Sequence, residues 1–177
     1  MFPLRTLSTT KRMVFCGLLV ALGVILSGPL EIPLNFFGLY SVSLSFGTVP
    51  VILAAVYYGP MYGALVGGLW DLLQALLFPM GGYNPLFTLS GAVIGLLPGL
   101  FFTKGEKPTF LRVLAATAAG HIVGSVILNS LWMIVSYGTP LEVAAIRTLK
   151  GVVFIPLFAS LVYLLSGALD RAFSNDQ

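Results

Sequence analysis

Apolar residues fill almost the whole chain in six stretches, at about 13–29, 42–58, 60–79, 86–103, 111–137 and 140–168. The first four are close to the ~20 residues that a helix needs to cross a bilayer, and the last two are longer. The pattern predicts an all-α integral membrane protein, a six-transmembrane-helix bundle forming a single membrane domain over 1–177. Few polar residues break into the apolar runs: Asp71, His121, Asn129, Arg147 and Lys150. Hydrocarbon does not solvate an ion, so a charge at membrane depth must pair, line a wet cavity or hold a ligand. These residues are the main guide to function.

Composition agrees with a lipid solvent. The chain is 58% hydrophobic and 8% charged, with mean hydropathy +1.00. A soluble domain carries about a quarter charged residues. The net charge of +3 does not point to nucleic acid, because the basic residues sit mostly at segment ends, where membrane topology accounts for them. With the N-terminus cytoplasmic, that side receives Arg5, Lys11, Arg12, Lys104, Lys107, Arg112 and Arg171, and the outside only Arg147 and Lys150. The asymmetry predicts a multi-pass cell-membrane protein with both termini cytoplasmic. The first stretch, although preceded by Arg5, Lys11 and Arg12, is read as a retained helix rather than a signal peptide.

Finer signals lie within the helices. Gly59, Gly63 and Gly67 recur every fourth position, and Asp71 continues the row. Gly91, Gly95 and Gly99 recur likewise, as do Ala116, Gly120 and Gly124. Such rows let helix backbones approach closely in lipid. Packing explains the glycines but not a carboxylate. His121, Ser125 and Asn129 follow at four-residue spacing, with Trp132 and Met133 on the same side. This stripe reads either as an interhelical hydrogen-bond ladder or as one wall of a polar pocket. Thr139-Pro140-Leu141-Glu142 reads as an N-cap, a proline at the first helical position and a capping-box glutamate. Arg147 and Lys150 then lie about 10–15 Å into the last helix. They are three apart and share a face, and two cations there call for an anion.

Enzyme chemistry finds little support. Ser125 and His121 lie on one helix with nothing to mark an oxyanion hole. Asp71 has no partner aspartate in a span, one histidine with scattered carboxylates makes a poor metal site, and no P-loop is present. Cys16 is the only cysteine, which excludes an internal disulfide. The reading is a non-enzyme with no cofactor, no metal and no catalytic residues.

Several segments, taken in order, resemble one family. They are Gly59-Pro60-Met61-Tyr62-Gly63 through Gly67 and Asp71; Gly81-Gly82-Tyr83-Asn84-Pro85 leading into Phe87-Thr88-Leu89-Ser90-Gly91; and Gly95-Leu96-Leu97-Pro98-Gly99. Asn129-Ser130-Leu131-Trp132 with Tyr137-Gly138, and Arg147-Thr148-Leu149-Lys150 before Ile155-Pro156, complete the set. In order and spacing the chain resembles the substrate-binding S components of energy-coupling factor (ECF) vitamin transporters, folate branch. The resemblance implies a six-helix bundle that binds a vitamin near its extracellular side. It also implies a membrane coupling subunit and two cytoplasmic ATPase subunits as partners. The family's docking patch on the first helix, usually two alanines, corresponds to Gly17 and Ala21, the glycine being a departure.

The residues themselves suit such a ligand. Folate pairs a flat pterin with a dianionic glutamate tail. Arg147 and Lys150 suit carboxylates, Arg by a bidentate fork. Asp71 and Asn129 suit a heterocycle edge, Trp132, Tyr83 and Phe87 suit its faces, and Asn84 is counted with them among the substrate-binding residues. Two roles stay open for Asp71: contact with the ligand, or neutralisation of Arg147 or Lys150. The alternative substrates are pantothenate and other small vitamins, and a more distant alternative is a ligand-free membrane scaffold.

Overall fold

A computed structural model describes residues 8–34, 42–79, 83–102 and 108–174. Among these residues the fold is an all-α bundle of six helices with one short hairpin. Helix α1 spans Thr9–Ser27, α2 Thr48–Tyr58, α3 Pro60–Leu77 and α4 Pro85–Leu100. Helix α5 runs over Phe110–Tyr137, and α6 comprises two segments, Leu141–Val153 and Ile155–Ser174. By length and composition, α1, α5 and α6 are the helices able to cross a bilayer.

The second helix begins later than its apolar stretch. Val42–Leu44 pairs antiparallel with Ile32–Leu34 as strands β2 and β1, in the register Ile32 to Leu44. Val42-Ser43-Leu44-Ser45-Phe46 alternates apolar and polar residues, a period of two that belongs to a strand. The start of α6 also differs from the sequence expectation. Pro140 occupies the cap position in an extended conformation, and no side chain caps the helix. Glu142 remains in the first turn, where a carboxylate favours the positive end of the helix dipole. The break at Phe154 precedes Pro156, which lacks the N–H that would bond the Val152 carbonyl.

Helices α3 and α4 form the most extensive contact in the bundle, and the glycine rows explain it. A Cβ on Gly63 would run into the carbonyl of Gly95, and one on Gly67 into the carbonyl of Gly91. A Cβ on Gly99 would press on Pro60. The two helices thus run antiparallel with backbones in direct apposition, which only residues without a side chain permit. The third row does similar work, since a Cβ on Gly120 or Gly124 would collide with Ile94 or its backbone. Helix α2 is buried along nearly its whole length. Its Val49, Ile52, Leu53 and Val56 join Val113, Phe158 and Val162 in the larger apolar cluster. Beyond it, the Tyr57 hydroxyl lies 2.8 Å from the Ser166 carbonyl, to which it donates.

The α3–α4 contact generates a stability prediction. Gly67→Leu overpacks this interface and should cost about 1–3 kcal/mol, a fall of roughly 2–12 °C in the melting midpoint of the detergent-solubilised protein. Gly17→Leu, whose Cβ meets nothing within 4 Å, should leave the midpoint unchanged. Equal midpoints for Gly67→Leu and the unmutated chain would show that the backbones are not in contact.

Candidate functional site

One end of the bundle opens into a cavity of about 600 Å³. That lies within the ~300–1,000 Å³ of small-molecule sites. Its walls come from the C-terminal end of α1, the C-terminal half of α3, the start of α4, the last turns of α5 and the first half of α6. In sequence these segments are remote, and the alternating direction of the helices brings them to the same end.

Of the residues singled out from the sequence, Asp71, Tyr83, Asn84, Phe87, Asn129, Arg147 and Lys150 all line this cavity. Asp71 is placed by the α3–α4 contact, one helical turn beyond Gly67. Its Oδ2 accepts a hydrogen bond from the Thr88 hydroxyl at 2.9 Å. The Tyr83 hydroxyl lies 3.1 Å from the same Thr88 oxygen. A hydroxyl has one proton to give, and that of Thr88 is committed to Asp71, so Tyr83 donates to Thr88. The acid is thereby tied to the rim of the cavity through two hydroxyls.

Asn84 performs local structural work. Its Oδ1 accepts from the Leu86 backbone N–H at 3.0 Å, capping α4. Its Nδ2 donates to the Ser136 hydroxyl at 3.0 Å, which ties the start of α4 to the end of α5. Phe87 stacks on Tyr137 with ring centroids 6.1 Å apart and planes at 23°, giving the cavity a flat aromatic wall. Arg147 donates to the Met133 sulfur at 3.4 Å. Arg147 is exposed towards the cavity mouth, whereas Lys150, one turn further along α6, is half-buried.

Trp132 stands apart from this group. It is not a lining residue of the cavity; its indole N–H donates to Ser90 Oγ on α4 at 3.0 Å. Earlier in α5 lies a π-helical segment, His121–Leu128. Hydrogen bonds from i to i+5 shift the faces relative to a regular α-helix. The four-residue stripe is divided. Asn129 and Met133 reach the main cavity, Trp132 turns to α4, and His121 and Ser125 line a smaller inner chamber of about 160 Å³. Ser45, Trp70, Asn129 and Lys150 border both spaces.

Sequence reasoning missed several wall residues. Glu31, in the connection after α1, lines the cavity together with Asp71. Two acids therefore face two bases, where the sequence pattern suggested a single acid. Trp70 and Gln74 flank Asp71 on α3 and are held by the end of α1. The Trp70 indole donates to Ser27 Oγ at 2.9 Å, and Gln74 Nε2 donates to the Ser27 carbonyl at 2.7 Å. Gln74 Oε1 and Asn129 Oδ1 are both buried with no hydrogen-bond partner. An unsatisfied buried acceptor costs about 1–3 kcal/mol, so these two amide oxygens keep an unused capacity to accept a hydrogen bond. Gln74 had a legible signal, being a polar residue three positions from Asp71 on the same helical face. Glu31 looked like an ordinary loop charge.

Gly17 and Ala21 are placed elsewhere, on the exposed face of α1, among the exposed Met13, Val14, Leu18 and Leu22. Among the described residues no cluster of three metal-ligating side chains occurs.

The comparisons with known proteins fit this geometry. A family model described as the substrate-specific component of ECF transporters matches residues 11–168. The folate transporter FolT of Clostridium novyi (strain NT) is 30% identical over 131 residues, covering 73% of this chain and 76% of that protein. The folate transporter FolT of Streptococcus mutans serotype c is 31% identical over 147 residues, 79% of this chain and 77% of that protein. A crystal structure of FolT bound with folic acid superimposes with a TM-score of 0.74 at 29% identity, covering 90% of this chain and 94% of that one. The chain belongs to the substrate-specific components of ECF transporters, membrane proteins that bind a substrate for uptake and are not enzymes.

Proposed function

We propose that this chain is the folate-binding subunit of an ECF importer. One observation carries the reading. A ring-lined cavity presents unpartnered acceptors, Gln74 Oε1 and Asn129 Oδ1, close to the Asp71 carboxylate, with Arg147 and Lys150 on the opposing α6. Acceptors suit the amino and ring N–H groups of a pterin. Arg147 and Lys150 suit the carboxylates of its glutamate tail, by charge-assisted hydrogen bonds. Trp70 and the Phe87–Tyr137 stack suit the flat rings. The FolT relatives and the FolT–folic acid structure support the same substrate. Pantothenate carries one carboxylate and no ring, and would leave the aromatic wall unused.

The chain forms a single membrane domain with both termini cytoplasmic and its cavity facing outward. It docks on a membrane coupling subunit driven by two cytoplasmic ATPases, through the face of α1 that carries Gly17 and Ala21. Small residues four apart, exposed and with open space above Gly17, permit a partner helix to approach closely.

Three measurements test this. Calorimetry should find folate binding weakened roughly ten- to a hundredfold by Arg147→Ala, since a charge-assisted hydrogen bond contributes about 1.5–3 kcal/mol. Arg147→Lys should also weaken it, because an ammonium does not reproduce the guanidinium fork. Undiminished folate affinity in both Arg147→Ala and Lys150→Ala would remove these residues from the site, and binding of pantothenate in place of folate by the unmutated chain would change the substrate.

Gly17→Trp should abolish uptake by the full transporter while folate binding to the isolated subunit stays intact. Loss of binding as well would place Gly17 in the internal packing. For orientation, single cysteines are introduced at Tyr83 and at Arg171 in a Cys16→Ala background. An impermeant thiol reagent applied from outside should label the first and spare the second; the reverse pattern inverts the topology.

A further inference from the structure

The mouth of the main cavity holds a cation against an uncommon partner. Arg147 is exposed there, and its Nη1–H donates to the Met133 sulfur at 3.4 Å. The contact joins α5 to α6 across the opening. Met133 is half-buried and lines the cavity with Asn129 and Tyr137, which stand one helical turn to either side of it on α5. A thioether sulfur is a weak acceptor. It orients the guanidinium without neutralising it. A carboxylate makes the stronger, charge-assisted bond, so it takes the guanidinium from the sulfur at little cost.

That weakness is a property of the reduced sulfur alone. Oxidation to the sulfoxide converts a flexible apolar side chain into a polar one, and the new oxygen is a far better acceptor than the sulfur that carries it. Because the sulfur already lies against Arg147, its oxygen comes within reach of the same donors. Access is open as well. A cavity of about 600 Å³ at the end of the bundle admits solutes much larger than a peroxide. Met13 and Met61 are also exposed, but they lie on α1 and α3 and do not line the cavity.

We infer that Met133 is an oxidation-sensitive site that controls how freely Arg147 meets an anionic substrate. A hydroperoxide converts the thioether to a sulfoxide, whose oxygen occupies a guanidinium N–H and weakens substrate binding. The sulfur lone pair attacks one peroxide oxygen and an S–O bond forms. The O–O bond breaks, and the other oxygen leaves as water with the two peroxide protons. Sulfur loses two electrons and the peroxide gains them. Methionine sulfoxide reductases return the thioether, so the change is reversible. The inference rests on the assignment of Arg147 to the folate carboxylates above and adds a means of regulating that contact.

The test is calorimetry with folic acid on the purified full chain, before and after hydrogen peroxide, with peptide mass spectrometry to locate the added oxygen. Met133 should gain one oxygen, and folate affinity should fall about three- to tenfold, a partial loss because Arg147 keeps its other donors. Treatment with reductases for both sulfoxide epimers should restore it. Met133→Leu, compared only with itself, should lose no affinity to peroxide, which separates Met133 from the other methionines. Arg147→Ala should likewise show no further loss on oxidation, because the effect passes through the guanidinium. A sulfur that stays unoxidised would overturn the inference, as would an oxidised chain that binds folate as before. So would an equal peroxide loss in Met133→Leu or in Arg147→Ala, since the damage would then lie elsewhere or act by bulk alone. Each of these results leaves the folate reading in place. Failure of the untreated, unmutated chain to bind folic acid would remove the folate reading itself, and this inference with it.

Discussion

The backbone contact between α3 and α4 is the constraint on which the rest of the site depends. Glycines at 63 and 67 face those at 95 and 91 with no side chain between them. In lipid, apolar side chains gain little by leaving hydrocarbon for one another, so close packing is a main source of helix affinity. The register this contact sets is specific. It delivers Asp71 to Thr88, one turn beyond the last glycine pair, and so fixes the only acid that α3 contributes to the cavity.

From that contact the polar atoms sort themselves by depth. At the end of the bundle opposite the cavity, Tyr57 of α2 closes its hydroxyl onto the Ser166 carbonyl of α6. At the cavity end, Ser27 occupies the donors of Trp70 and Gln74, and Asn84 ties α4 to α5. Several acceptors and both nitrogens of His121 are left unmet. Among the described residues the buried polar side-chain atoms without partners border at least one of the two spaces, with Thr117 Oγ1 the exception. The π-helical stretch of α5 takes part in this sorting. It carries His121 and Ser125, which line the inner chamber, and is followed by Asn129, which borders both spaces, and Met133, which lines the main cavity.

Charge at the site is more balanced than a linear count of intramembrane residues implies. Glu31 joins Asp71 opposite Arg147 and Lys150. On the proposed folate reading, selectivity for an anionic tail depends on where the bases stand. Arg147 lies exposed at the mouth and Lys150 deeper, at the junction of the two spaces. A ligand with its negative charge at one end and a hydrogen-bonding ring at the other matches such a gradient better than a compact anion does.

What the sequence determined by itself was whatever depends on composition and period. The lipid solvent follows from apolar runs with few charges, and the helices from their length. The α3 and α4 glycine rows follow from four-residue spacing, and a polar minority of the cavity wall from the rule that polar residues at membrane depth must serve something. Asp71, Asn129, Arg147 and Lys150 were legible because each is costly in hydrocarbon. Tertiary structure alone decided the remainder. Val42–Leu44 carries a strand's alternation in its sequence, but its partner, Ile32–Leu34, and their register were set only in the folded chain. Glu31 became a wall residue because the turn that ends α1, closed by the Glu31 N–H to the Gly28 carbonyl, sets it beside the cavity. Trp132 left the cavity because Ser90 on the neighbouring α4 gives its indole N–H a partner there. Each of these turns on which groups meet across the bundle, and a one-dimensional pattern of apolar and polar positions carries no record of that.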